Sequence, residues 1–198
     1  MVATHDVWLI RHGETEWTVS RRHTGLTDLP LTTAGEDQAR ALLNHLRAVR
    51  FDRVFCSPLQ RAARTCELAG FGLVAEVNEN LVEWNYGDYE GKRRPEILAG
   101  RPDWIIFRDG CPSGESPEDV AVRADRVISR IQTIGGNVAV FSSGHFLRVL
   151  IARWLGLDPS AGRYFKLGTA AISVLGYDHN SASEPVIRLL NERPPSGL

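Results

Sequence analysis

The run Arg11-His12-Gly13-Glu14-Thr15 sets a cation, an imidazole and a flexible glycine directly after a short apolar stretch, Val7-Trp8-Leu9-Ile10. Imidazole can act as a nucleophile and carry a covalent intermediate. The planar fork of a neighbouring guanidinium suits phosphate oxygens. Two more segments join polar, reactive residues to the end of an apolar run: Ser57-Pro58-Leu59-Gln60-Arg61 after Arg53–Cys56, and Ser142-Ser143-Gly144-His145 after Val138–Phe141. Glu83 is a carboxylate in a polar stretch between them. Taken singly, each has an ordinary explanation: a turn-capping pair, a solvated helix arginine, a surface carboxylate. Their chemistry has weight only if the fold brings them together.

The elements that would do so can be read from the hydrophobic pattern. Val7–Ile10, Arg53–Cys56, Gly72–Val77 and Val138–Phe141 read as short buried strands, and Ala171–Leu175 and Val186–Leu190 as a last pair joined through a turn at 178–180. Between Thr32 and Arg50 the period becomes helical, with Ala39, Leu42, Leu43 and Leu46 on one face and Thr33 and Glu36 spaced as a capping box. Ser57-Pro58 reads as the N-cap and first turn of a second helix, with Leu59, Ala62, Ala63, Cys66 and Ala69 inward and Gly70 ending it. Ser116 to Asp119 carries an S-x-x-D cap ahead of a third helix lined by Val120, Ala124, Val127, Ile128, Ile131 and Ile134. Leu147, Leu150, Ile151 and Trp154 make a fourth, closed by Gly156. The tail from Arg193 to Gly197 reads as loose.

Strands alternating with helices predict a single α/β domain over 1–198, with a mostly parallel central sheet, an antiparallel edge and helices on both faces. In such sheets ligands sit beyond the carboxyl ends of the strands, where all three reactive segments fall. From 78 to 116 the periodicity fails, although the stretch holds Trp84, Tyr86, Tyr89 and Trp104. So long an irregular segment is expected to be a lid or pocket wall.

Composition limits the partners. A formal net charge of −1, from 23 basic and 24 acidic residues, argues against a general nucleic-acid binder. No apolar run approaches the ~20 residues of a membrane helix, and the N-terminus lacks the basic segment of a signal peptide. Cys56, Cys66 and Cys111 are odd in number and without CxxC spacing, so they read as reduced buried thiols in a cytoplasmic protein rather than as disulfides or metal ligands. The oligomeric state is not legible.

Beyond the individual residues, a series of blocks occurs in order from about Val7 to Gly156. Leu9-Ile10-Arg11-His12-Gly13-Glu14-Thr15-Glu16-Trp17 resembles the signature of the histidine phosphatase, or phosphoglycerate mutase-like, superfamily. Thr24-Gly25-Leu26-Thr27-Asp28 through Gln38-Ala39 is similar to its next block. Ser57–Thr65 looks like its second-arginine block, Leu81–Gly91 its acid-loop block, and Gly114-Glu115-Ser116 a later one. The resemblance implies that His12 attacks phosphorus and becomes phosphohistidine. It implies that Arg11 and Arg61 clamp the phosphoryl oxygens, and that Glu83 protonates the leaving oxygen and then deprotonates a water. Thr18 would offer a hydroxyl to the phosphate, and Thr24, Gly25 and Tyr86 would line the substrate pocket. Neither metal nor cofactor is implied. Phosphoryl transfer needs preplaced cations and one acid–base group, which these residues supply.

The pattern departs at the fourth block. The family usually places a second catalytic histidine five residues before an arginine; counting back from Arg148 gives Ser143. His145 would then match the second, non-catalytic histidine of the HGH seen in the acid-phosphatase and sugar-bisphosphatase branch. A serine can donate a hydrogen bond but carries no charge, so the departure implies slower turnover, unless His145 turns inward as a replacement cation. Glu83–Gly91 and Phe107–Cys111 resemble that phosphatase branch more than the mutases. Only 22 residues separate Gly91 from Gly114, whereas mutases carry a longer insertion there. Arg108 is a candidate contact for a second anionic group. His23 is read as a solvated residue despite its place before Thr24, as are His5, His45 and His179. The reading is a phosphatase of small phosphorylated metabolites, with a phosphoglycerate mutase and a weakly active or non-catalytic phospho-ligand binding protein as alternatives.

Overall fold

Alternation along the central strands sends side chains to two separate cores. Val7 and Leu9 of β1 (Val7–Arg11) and Val138 and Val140 of β4 (Val138–Ser142) face one core. Ile10, Ala139 and Phe141 face the other. This period-2 split of apolar residues requires cover on both faces of the sheet. In the computed structural model, which describes residues 6–194, that cover is helical. Helix α2 (Thr33–Leu46) and helix α3 (Gln60–Leu68) pack on one face; α6 (Pro117–Gln132) and α7 (Gly144–Trp154) pack on the other. Shorter helices are α1 (Glu16–Val19), α4 (Arg94–Gly100) and α5 (Ile106–Asp109).

The remaining strands are β2 (Arg53–Cys56), β3 (Ala75–Val77), β5 (Ile172–Tyr177) and β6 (Pro185–Glu192), and the sheet order is β3-β2-β4-β1-β5-β6. Strands β1 to β4 run parallel, while β5 and β6 form the expected antiparallel edge. The chain is thus a single α/β domain with helices on both faces. Because β4 lies between β1 and β2, the segments after Arg11, Cys56 and Ser142 emerge side by side.

Several boundaries differ from the sequence pattern. The first long helix is capped by Thr32, whose side chain accepts from the Gly35 N–H, not by a Thr33–Glu36 box; Glu36 instead pairs with Arg40 and Arg64. Leu43, placed inward by period, is 40% exposed. Helix α3 begins at Gln60, not at Ser57-Pro58: Ser57 continues the β2 ladder, its N–H donating to the Phe141 carbonyl, and Leu59 is still extended. The Asp28 carboxylate caps the helix from another loop, accepting from the Gln60 N–H at 2.8 Å. The third strand is only Ala75–Val77. The Ser116–Asp119 box forms as read. His5 and the tail residues 195–197 lie outside the described residues.

The segment 78–116 is more ordered than its pattern suggests. Trp84, Tyr86, Tyr89 and Trp104 are buried in one core, and α4 and α5 lie within it. It is pinned from α6: Arg123 pairs with Glu115 at 2.7 Å and donates to the carbonyls of Asn80 and Val82, while Glu115 accepts from the Asn85 N–H. Its period is illegible because its apolar residues fill a core without lying on one regular element.

Candidate active site

A cavity of about 280 Å³ opens at the carboxyl ends of β1 and β4, lined among others by Arg11, His12, Glu83, Tyr86 and His145. His12 follows the last residue of β1 and is 3% exposed. Its Nδ1 lies 2.7 Å from the Gly13 carbonyl, which can only accept. Nδ1 therefore carries the proton and Nε2 keeps its lone pair. Burial, then the charges of Arg61 and Arg11, push the imidazole well below its ordinary pKa, so it is neutral and nucleophilic. The Gly13 peptide is itself fixed by Thr65 Oγ1, which accepts from its N–H at 3.0 Å and donates to the Arg61 carbonyl.

The two arginines are held by carbonyls, not by carboxylates. Arg11 donates from Nη1 to the Leu167 carbonyl at 2.6 Å. Arg61, 0% exposed, donates to the carbonyls of Thr27, Thr24 and Gly25. The Nε of each is buried without a partner among the described residues, as is Ser143 Oγ. Arg11 lines the cavity whereas Arg61 and Ser143 are not among its lining residues, but both arginines are close enough to act on His12. Buried donors are normally satisfied, so these open groups suit an anion. Burial lowers both arginine pKa values, while Glu83 raises them.

Glu83 faces the same cavity. Its carboxylate accepts from the backbone N–H groups of Trp84, His145 and Phe146 at 2.8–2.9 Å, the last two being the first turn of α7. These bonds fix its position against the strand-end cluster. Tyr86 Oη lies 2.5 Å from His145 Nδ1. Burial raises the phenol well above its ordinary pKa and lowers the imidazole well below its own. Tyr86 therefore donates to Nδ1, and His145 presents a neutral Nε2–H. His145 does turn inward, but as a dipole rather than a cation.

The other sequence candidates divide. Thr18 and Thr24 line the cavity, but the Thr18 hydroxyl donates to the Thr15 carbonyl within the α1 cap. Gly25 lies behind the wall, where its carbonyl holds Arg61; an added Cβ would meet the Trp84 carbonyl at 2.5 Å. Ser143 sits at the N-cap of α7, fully buried and without a cap hydrogen bond. Arg108 is not brought to the cavity: it is turned to the Asp109 carboxylate and the Asp103 carbonyl at the surface. His23, read as solvated, does line it, 4.9 Å from the Tyr86 ring and stacked on His145 at 6.2 Å. Arg21, Arg22, Arg94 and Arg148 also reach the wall. In the sequence Arg148 serves only to place Ser143, and the other three carry no motif of their own.

Among the described residues one group could gather three metal ligands, Asp178, His179 and Glu184. All are exposed, at the opposite end of the sheet, and His179 is paired with Glu184.

A mostly parallel α/β sheet with an imidazole, two buried arginines and a carboxylate at its strand ends has the groups that a phosphoryl site requires. Comparison gives the class its family: residues 7–192 match the histidine phosphatase superfamily (branch 1), and the chain belongs to it. It is 38% identical to an acid phosphatase of Mycobacterium tuberculosis, over 98% of this chain and 97% of that one. It is 32% identical to sedoheptulose 1,7-bisphosphatase of Saccharomyces cerevisiae, over 91% and 90%. A solved structure of a Mycobacterium tuberculosis open reading frame superposes with a TM-score of 0.91 at 38% identity, covering 96% of this chain and 98% of that one. Among the described residues no helix is long and apolar enough to cross a membrane.

Proposed function

We propose that this chain hydrolyses phosphomonoesters of small metabolites through a phosphohistidine on His12. The carrying observation is the neutral His12, its Nε2 deprotonated, close to two arginines whose Nε atoms have no partner among the described residues. Nε2 attacks phosphorus while Arg11 and Arg61 hold the equatorial oxygens and offset their growing charge. The P–O bond breaks and Glu83 delivers a proton to the departing oxygen. Water then enters, Glu83 takes its proton, and the P–N bond breaks to release phosphate. Tyr86, Thr24 and the 78–116 segment wall the leaving group. The more similar relatives are named as phosphatases, which supports this reading, while others carry the name probable phosphoglycerate mutase. The three free buried thiols suit a reducing cytoplasm.

The test is phosphate release from a panel of sugar phosphates and p-nitrophenyl phosphate, together with trapping of acid-labile phosphoenzyme. His12→Ala should abolish both. Undiminished turnover in that variant would overturn the reading. Glu83→Gln should slow sugar phosphates more than p-nitrophenyl phosphate, whose leaving group needs no proton. A mutase would show instead as dependence on 2,3-bisphosphoglycerate. Ser143 favours a second reading, a phospho-ligand binder of low turnover: its open hydroxyl can bond an anion but adds no charge.

A further inference from the structure

A second concavity, of about 490 Å³, adjoins the first and shares Arg11, Thr18, Arg21 and Leu167 with it. Its own wall adds Lys166 and Arg193, from the chain before β5 and after β6. Among the described residues neither of these cations, nor Arg21, has a hydrogen-bonded or ion-paired partner. Elsewhere Arg40, Arg64, Arg93, Arg130, Arg153 and Arg188 each pair with a carboxylate. Other exposed arginines without such a partner among the described residues, such as Arg47 and Arg126, do not line this concavity. The one acid on this wall, Glu14, is turned to the Thr32 hydroxyl at 2.8 Å.

The cations are also placed. The Arg193 guanidinium lies against the Cα of Gly168, where any Cβ would come within 1.9 Å of Nη2, so the glycine makes a seat for it. Arg193 is close enough to depress the Arg11 pKa. Arg21 is held at φ 57°, a left-handed conformation uncommon for a residue with a side chain. Four cations line this concavity against the single acid Glu14. Like charges repel one another, and an anion bound among them offsets that repulsion.

We infer that Arg21, Lys166 and Arg193 form an anion subsite continuous with the phosphoryl pocket, which takes a second phosphate or carboxylate of the same substrate. This deepens the phosphatase reading and rests on it. It also moves the second-anion contact from Arg108, which is committed to Asp109, to the other side of Arg11. A substrate bridging the two sites carries its anionic groups at two ends of a short chain.

The test uses ligands that cannot turn over, so that it does not depend on catalysis. α,ω-Alkylene bisphosphonates of four to seven carbons, with both phosphorus atoms bonded to carbon, are compared with the matching alkyl monophosphonates by calorimetry. The subsite predicts at least tenfold tighter binding of the best bisphosphonate, with a ratio that falls as salt rises. Lys166→Ala/Arg193→Ala should bring the ratio to within about twofold of one. Gly168→Ala, which keeps every charge but unseats Arg193, should lower it as well. Arg47→Ala/Arg50→Ala, removing equal charge at a distant exposed site, should leave it unchanged. A ratio near one in the unaltered protein, or one equally high in the double variant, would overturn the subsite. Inorganic phosphate binding twice, with the second site lost in the double variant but no bisphosphonate preference, would show a free anion to be the occupant and overturn the substrate assignment. Absence of phosphatase turnover with the binding ratio intact would instead count against the hydrolase reading alone.

Discussion

At the scale of single residues, protonation states decide what the cavity can do. His12 and His145 are both neutral but present opposite faces: the first an open lone pair, the second an N–H. An N–H dipole cannot replace the charge that a second histidine at 143 would bring, so Ser143→His should raise single-turnover hydrolysis by about 10²–10³, the usual worth of a preorganised donor acting in the transition state. A large loss in His145→Ala with no gain in Ser143→His would reverse the assignment of the two positions. Thr65 lies behind His12: its hydroxyl holds the Gly13 N–H, across the Gly13 Cα from the carbonyl that sets the His12 tautomer. Thr65→Val leaves a buried N–H unpaired, at a cost of about 1–3 kcal/mol. It should lower kcat about tenfold with KM nearly unchanged, and Thr65→Ser should restore it. Equal effects of Val and Ser would show that packing, not the hydroxyl, matters.

At the scale of elements, the loop between α1 and α2 does two jobs for α3. Asp28 caps the helix, and the carbonyls of Thr24, Gly25 and Thr27 hold Arg61 within it. Asp28→Ala should cost about 1 kcal/mol, as loss of an N-cap does, read as a lower urea midpoint. Gly25→Ala should be more damaging to function than to stability. Its Cβ would strike the Trp84 carbonyl and the Glu90 carboxylate, displacing the strand of carbonyls that aims Arg61. Phosphate affinity should fall at least tenfold; unchanged affinity would show that the loop gives way without moving Arg61.

At the scale of the whole molecule, neutral histidine burial links stability to pH. His12 and His145 titrate below their unfolded value of 6.5. Below pH 6.5 the unfolded chain takes up protons that the native protein refuses, so stability is lost as pH falls, by up to about 1.4 kcal/mol per unit for each histidine. The urea midpoint should therefore be lower at pH 5.5 than at pH 7.5. His145→Gln should flatten that slope by removing one titrating group. Equal midpoints at the two pH values would show that the imidazoles take up protons in the folded state.

The sequence by itself determined the alternation of strands and helices, the antiparallel edge and the three strand-end segments, because buried apolar period and local order are properties of the chain read in line. It also supplied Arg11, His12, Arg61 and Glu83, since each lies in a contiguous block. Only the tertiary structure decided which cations share a cavity. Arg21, Arg94, Lys166 and Arg193 come from separate stretches of the chain and line two adjoining cavities, with His23 beside Arg21 in the first. It likewise turned Arg108 away and recruited Asp28 as a cap for α3. A side chain's partner is set by distance in space, and for a long charged residue on a loop no periodicity along the chain records that distance.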